Sequence, residues 1–432
     1  MAMNGAHFVK QLLRQEVVPS MGCTEPAAIA YAAAAASAMV DGELKQVHIV
    51  ADMGTFKNTL AVGLPGTEYR GPNIAAGVGA LVAREDMGLS VFEAATPLLY
   101  EHARSLANDN RILVTSDATA RGVFIRAAIE KTGGRAGILI EGRHDRITAR
   151  FLNGTAVPIQ KSEDTHCDIQ DSEIRLRLYS PKAILKLLEH LDEEDLNFVK
   201  KGVEMNLELA HCSIENGFGL GYGKAMWQLS EETGDRSARV KSMVAAGVEA
   251  RMAGIPMPVT TSGGSGNSGI TVTLGTWAGV EAFKITDESL IWRGVALAHL
   301  FNIALKARIG RVGPLCGGTA SSSTAVGCAL AWMLGGDDEA IDLVVRYMVD
   351  SLTGNICDGA KPACALKIST GVGAALDAAR LAASGVLRVG NDGMGGSTAE
   401  MAFERLVKLT RTGYVNTDIA ITSILQDGLT GT

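Results

Sequence analysis

The sequence predicts an α+β protein in which a glycine-rich, mainly helical domain is joined to a smaller α+β domain. Three observations carry this. Short runs of aliphatic and β-branched residues, separated by Gly, Asn or charged turns, cluster between Gln46 and Ile159. After Pro181 apolar residues recur at helical spacing almost without interruption. The loops between those helical stretches are unusually rich in glycine. A chain of 432 residues is long enough for two domains or three. The expected division is residues 1–40 as N-terminal helices packing on the helical domain, 41–178 as the α+β domain and 179–432 as the helical domain.

Phe8 to Val18 has apolar residues at helical spacing, ended by Pro19. Ala27 to Met39 reads as a buried helix with Pro26 in its first turn and Thr24 as its N-cap. Val47 to Val50 and Thr59 to Val62 read as strands. Asn73 to Ala83 and Val91 to Ala107 read as helices. Ile112–Thr115, Val123–Glu130, Ala136–Glu141, Arg146–Phe151 and Ala156–Ile159 read as further strands. The helical half is expected over 183–190, 192–209, 223–229, 237–252, 291–309, 325–334, 341–352 and 371–383, with Ile270 to Leu274 as an isolated β-type run.

Composition narrows the function. The chain is 47% hydrophobic and 20% charged, with a net charge of -7 and no cluster of Lys and Arg. That argues against nucleic acid or an anionic membrane as partner. The first twenty residues carry Lys10, Arg14 and Glu16 and lack an apolar signal core, and the Ala-rich run 27–39 is about half a bilayer span. The expectation is a cytoplasmic protein acting on a small molecule, with no membrane partner, as a monomer or homo-oligomer. Seven cysteines, Cys23, Cys167, Cys212, Cys316, Cys328, Cys357 and Cys364, are an odd number. In a reducing compartment they favour metal binding, catalysis or burial over disulfides. Cys167 reads as incidental; Cys212 and Cys328 read as core.

The densest chemistry lies in Gly354 to Lys367, where Cys357 and Cys364 flank a turn built on Gly359 and Pro362. A straight helix would hold the two Cα atoms roughly 10 Å apart, but the glycine and proline fold the segment back. Cys316, in the glycine turn Gly313 to Thr319, offers a third thiolate. Three thiolates fit an iron–sulfur cluster with one iron left open. They also fit a zinc ion with His299 as fourth ligand, or three unconnected buried cysteines. Ser262 to Gly269 has the spacing of a dinucleotide fingerprint, but Pro256 and Pro258 precede it and a β-type run is expected after it. It reads better as a nest of amides and hydroxyls for a carboxylate or phosphate. Cys23 stands just before a helix start, where the dipole lowers a thiol pKa.

These motifs resemble the L-cysteine desulfidase family, which is related to the iron–sulfur L-serine dehydratases. The resemblance rests on Gly22-Cys23-Thr24-Glu25-Pro26, Ser262 to Gly269, the Cys316 turn, and Ile356-Cys357-Asp358-Gly359-Ala360 with Cys364 to Thr370. It implies an oxygen-sensitive [4Fe-4S] lyase, with 179–432 as the catalytic domain, that converts L-cysteine to pyruvate, ammonia and hydrogen sulfide. Cys316, Cys357 and Cys364 are then the cluster ligands and Cys23 the general base. Ser262, Ser265, Gly266 and Asn267 are expected at the substrate carboxylate. Glu25, Asn58 and Lys367 are expected at its amino group or beside the base. The alternatives are L-serine or L-threonine as substrate, a pyridoxal-phosphate elimination in which the 262–269 loop takes the phosphate and a lysine the cofactor, and a non-catalytic amino-acid-binding protein.

Overall fold

The computed structural model describes residues 4–159, 169–414 and 416–430. Cys167 lies outside the described residues. The chain opens with α1 (Gly5–Glu16), β1 (Pro19–Met21), α2 (Thr24–Ala38), β2 (Leu44–Asp52), α3 (Met53–Thr59), α4 (Pro72–Val82) and α5 (Pro97–Asn108). It continues through β3 (Ile112–Asp117), β4 (Phe124–Lys131), β5 (Gly134–Glu141), β6 (Ile147–Leu152) and β7 (Thr155–Val157). The six strands β2–β7 form one sheet in the order β3-β2-β4-β5-β6-β7. Only β2 and β3 are parallel; the other pairs are antiparallel. Alternation of apolar and polar residues along β4 and β5 buries one face, where Ile125, Ile129, Ile138 and Ile140 join the core with α2.

The second half is helical: α6 (Asp171–Arg177), α7 (Pro181–Leu188), α8 (Glu193–Asn216), α9 (Tyr222–Thr233) and α10 (Arg236–Ala253). After β8 (Pro258–Thr260) come α11 (Gly266–Phe283), α12 (Glu288–Ile309), a π-helical turn over Gly318–Ser323 and α13 (Thr324–Met333). The chain ends with α14 (Asp338–Leu352), α15 (Cys364–Ala383), α16 (Ala399–Lys408) and α17 (Thr417–Thr430). One helix among the described residues, α12, is long and apolar enough to cross a membrane. However, 83% of its apolar window is buried inside the protein, as in a core helix.

Several expectations need correcting. Two apolar cores exist, and α1 joins the helical one while α2 lies in the sheet core. The N-terminal helices therefore do not both pack on the helical half. The reason is composition: α2 is almost all alanine, and its thin surface lets α4 cross closely enough that a Cβ on Gly79 would overlap the Ala30 carbonyl. Residues 59–62 form no strand, because Asp52 caps the short helix α3 through the amide of Thr55, 2.9 Å away. The helix expected over 91–107 starts at Pro97, after 3-10 turns over 85–94. Ile270 to Leu274 lies inside α11, capped by Ser265. Its β-branched residues look like a strand, but burial on all sides hides the helical period. The helix α15 starts seven residues earlier than expected, at Cys364, and α6, α16 and α17 were not foreseen.

Candidate functional site: three thiols facing a cysteine–glutamate pair

Two local devices bring distant segments together. Antiparallel pairing of β1 with β8 sets Ser20 opposite Val259, so the Gly22–Pro26 corner and the Ser262–Gly269 loop leave the same ribbon side by side. The amides of Thr261 and Gly263 add bonds to the carbonyls of Val18 and Glu16, at 2.8 and 3.1 Å. Elsewhere the two cysteine loops pair at Leu315 and Ile356. The Cys316 amide donates to the Asn355 carbonyl at 2.9 Å, and the Cys357 amide to that of Pro314 at 2.7 Å. The turn then reverses at Gly359, whose φ of +91° suits glycine, and Cys364 opens α15. As a result Cys316, Cys357 and Cys364 line one cavity with Cys23, Glu25, Asn58, Ser265 and Asn267.

Four helical starts meet at this cavity. Cys23 is the N-cap residue of α2, Ser265 caps α11, Gly317 precedes the π-helical turn, and Cys364 is the first residue of α15. Their dipoles favour negative charge there. A chain of side-chain bonds crosses the cavity. The Cys23 thiol donates to Glu25 Oε2 at 3.1 Å, Asn58 Nδ2 donates to Glu25 Oε1 at 2.8 Å, and Cys357 Sγ lies 3.8 Å from Asn58 Oδ1. Burial, followed by the Glu25 charge, holds the Cys23 thiol well above its ordinary pKa. Burial also acts to raise the Glu25 carboxyl, but His144 and the bonds from Cys23 and Asn58 outweigh it and hold the carboxyl below its usual range. The resting pair is thus a thiol and a carboxylate sharing a proton, not the free thiolate expected from the helix start.

The three facing thiols suit soft metal chemistry. Burial raises Cys357, with the Lys57 ammonium acting against it. Burial and the neighbouring charges of Cys316 and Cys357 push Cys364 up to about 12. Such thiols give up their protons when a cation takes their place. Among the described residues no three His, Cys, Asp or Glu side chains gather tightly enough for a single ion. A four-iron cluster is wider than one ion, so its thiolates stand further apart. Three soft thiols lining one cavity fit that group.

The structure does not bring every expected residue to the cavity. Ser262 is fully buried, and its Oγ is taken up by His299 Nδ1 at 3.0 Å and Asn302 Nδ2 at 2.9 Å. Ser262 therefore braces the loop on α12 and does not face the cavity. His299, expected as a fourth zinc ligand, is not among the residues that line the cavity. Gly266 stands behind the wall against Arg251. Lys367 points away and clasps the cysteine turn, donating to the Ile356 carbonyl at 2.8 Å and to Asp358 at 2.5 Å. The dinucleotide reading was set aside on the wrong context, since β8 does precede the loop and α11 does follow it. What counts against that reading is that β8 pairs only with β1, antiparallel, outside any parallel sheet. Cys328 is core, as expected, and Cys212 is only partly buried.

A family model described as serine dehydratase alpha chain matches residues 88–423. The chain belongs to the serine dehydratase alpha chain family. Full-length relatives extend the likeness to the N-terminal corner. The UPF0597 protein of Desulfatibacillum aliphaticivorans is 33% identical over 98% of this chain and 98% of its own length. The UPF0597 proteins of Clostridium perfringens strain SM101 and Clostridium tetani are 32% and 30% identical, over 96% and 98% of this chain and 97% and 99% of theirs. The segment matched as serine dehydratase alpha chain contains the cysteine trio and the 262–269 loop, whereas Cys23, Glu25 and Asn58 precede it. Three cations of this serine dehydratase-like cavity carry no signal in the motifs: Arg311, which is paired with Glu16 and Asp171, and Arg251 and Lys306, which are not ion-paired among the described residues. The available signal for the last two is a charge flanked by apolar residues, Ala250-Arg251-Met252 in α10 and Leu305-Lys306-Ala307 in α12. Burial lowers Lys306 to about 8.

Proposed function

We propose that the chain is a [4Fe-4S]-dependent lyase that eliminates sulfide from L-cysteine, yielding pyruvate, ammonia and hydrogen sulfide. The observation that carries this reading is the bonded path Cys23–Glu25–Asn58–Cys357, which sets a proton acceptor and three thiols on facing walls of one cavity. When bound by Cys316, Cys357 and Cys364, the cluster supplies a Lewis-acidic iron with an open position for the leaving group.

The chain's own residues do the rest. Glu25 takes the Cys23 proton across their 3.1 Å bond, and the freed thiolate removes the proton from the substrate Cα. The electron pair left at Cα forms the Cα–Cβ double bond as the Cβ–S bond breaks and sulfide departs. The aminoacrylate that remains becomes an imine and is hydrolysed to pyruvate and ammonia. Asn58 holds Glu25 in position, and Ser265 and Asn267 line the opposite wall at the start of α11. The helix starts favour the negative charge that develops.

L-serine is the second reading, favoured by the family's description as serine dehydratase. Both leaving groups, hydroxide and sulfide, suit the same wall. Anaerobic reconstitution with iron and sulfide, followed by assays of pyruvate, ammonia and released sulfide on L-cysteine, L-serine and L-threonine, separates them. Pyruvate and sulfide from L-cysteine at the highest kcat/KM is the expected result. Pyruvate from L-serine alone moves the chain to the dehydratases, and binding without pyruvate from any of the three ends the elimination reading.

A further inference from the structure

Among the described residues Arg251 is a cavity residue whose charge has no ion-pair partner. It lies near the end of α10, is 3% exposed, and spends a single nitrogen on the protein, Nη1 donating to Asn267 Oδ1 at 3.0 Å. Nε and Nη2 are buried and have no hydrogen-bond partner. These two nitrogens form one edge of the guanidinium, the edge that accepts a carboxylate through two parallel bonds. A buried guanidinium with two idle donors costs stability unless something else binds there.

The glycine beside it shows how closely the backbone approaches the guanidinium. A Cβ added at Gly266 would stand 2.5 Å from Cζ and 2.8 Å from Nη2, and closer still to Nε. Contact with the central carbon on a par with both nitrogens means that Gly266 lies over the plane of the guanidinium and not along its edge. Gly266 thus covers a face of the guanidinium, Asn267 Oδ1 holds Nη1, and Nε and Nη2 are left without a partner. Arg251 is also close enough to Cys23 for its charge to lower that thiol's pKa against the stronger effects of burial and Glu25. Arg251 and Cys23 line the same cavity, so a carboxylate held by Arg251 shares that cavity with the Cys23 thiol.

We propose that the Nε–Nη2 edge of Arg251 is the anchor for the substrate α-carboxylate, so that Arg251 selects α-amino acids over their amides and sets Cα against Cys23. This rests on the elimination reading above and gives it a specificity determinant. The other free cation, Lys306, lies nearer the thiols: its charge neighbours are Glu25, Cys316 and Cys357. Its ammonium has no hydrogen-bond partner among the described residues, so it is the competing anchor.

The test uses the reconstituted full-length chain and ligands that cannot eliminate. Calorimetric titration with L-alanine, L-lactate and L-alaninamide should give comparable affinity for the first two and at least tenfold weaker binding of the amide. Arg251→Gln should weaken L-alanine at least thirtyfold and leave L-alaninamide unchanged, while Arg251→Lys recovers part of the loss. Gly266→Ala, which displaces the guanidinium without removing it, should reproduce the loss and serves if Arg251→Gln does not fold. On L-cysteine the same variants should raise KM far more than they lower kcat. Unchanged L-alanine binding in Arg251→Gln, or loss of it only in Lys306→Gln, overturns the assignment. Wild-type chain that releases pyruvate while Arg251→Gln keeps its KM refutes the anchor and spares the elimination. Carboxylate binding that depends on Arg251 in a chain that makes no pyruvate does the reverse.

Discussion

At Cys23 the dipole of α2 and the Arg251 charge favour a thiolate, while burial and the adjacent Glu25 carboxylate favour the thiol, and the latter pair prevails. Cys23→Ala should therefore leave the cavity intact, retain brown colour and iron content, and lower turnover by about 10²–10⁴-fold. Cys357→Ala should lose colour and turnover together. Wild-type activity in the first variant would remove Cys23 from the chemistry. At His299 only burial acts, and it lowers the imidazole to about 3. The unfolded chain, with an ordinary histidine near 6.5, binds the proton first. Stability is therefore untouched above pH 6.5 and declines as pH falls through that value towards 3, by an upper bound on the order of 5 kcal/mol. His299→Asn should flatten the slope of unfolding free energy against pH between 6 and 4. An unchanged slope would mean that His299 is not the group responsible.

At the scale of elements, the turn from Ile356 to Cys364 is held by one carboxylate between two lysines. Asp358 accepts from Lys361 at 2.7 Å and from Lys367 at 2.5 Å, which together hold its carboxyl below the usual range although burial acts to raise it. Asp358→Asn should cost only about 1 kcal/mol, because the pair is part-exposed, yet loosen the two thiols on the turn. Faster loss of iron to a chelator at unchanged fold is the expected readout, and a rate equal to wild type would show that the turn does not depend on this clasp. The α11–β8 junction is less forgiving. A Cβ on Gly269 would overlap the Thr260 carbonyl, so Gly269→Ala should destabilise by about 3 kcal/mol, measurable by urea unfolding. A buried lysine secures the last element: Lys57 of α3 donates to the Cys357 carbonyl at 2.7 Å and to Asp418 of α17 at 2.5 Å.

Across the whole molecule the cavity sits where the sheet core and the helical core meet. Glu25 and Asn58 come from α2 and α3, while the cysteine trio, Arg251 and Lys306 come from the helical half. Such junctions are common places for ligand sites. A group bound to Cys316 on one loop and to Cys357 and Cys364 on another ties those loops together in the folded state only. Removing iron with a chelator should lower the melting temperature by several degrees and lead to faster proteolysis at residues 313–318 and 354–364. Equal melting temperatures with and without iron would argue that the trio holds no structural metal.

Much of this was legible in the sequence, because local physics fixed it. Asp, Ser and Thr caps, Pro at first turns, apolar periodicity and the Gly359–Pro362 turn act within a few residues of one another. Cys23, Glu25, Asn58, Ser265, Asn267 and the three cysteines were singled out through the resemblance to a known family, and all of them line the one cavity. The rest depended on neighbours far along the chain. Ser262 and Lys367 have the right chemistry for a ligand but spend it on His299, Asn302 and Asp358, and no local pattern reveals those bonds. Arg251 and Lys306 look like ordinary charges until packing buries them without an ion-pair partner among the described residues, and the β-branched start of α11 is helical although its enclosed surroundings hide the helical period. Protonation followed the same rule: the α2 start is written in the sequence, whereas the burial that keeps Cys23 a thiol exists only once both cores have closed around it.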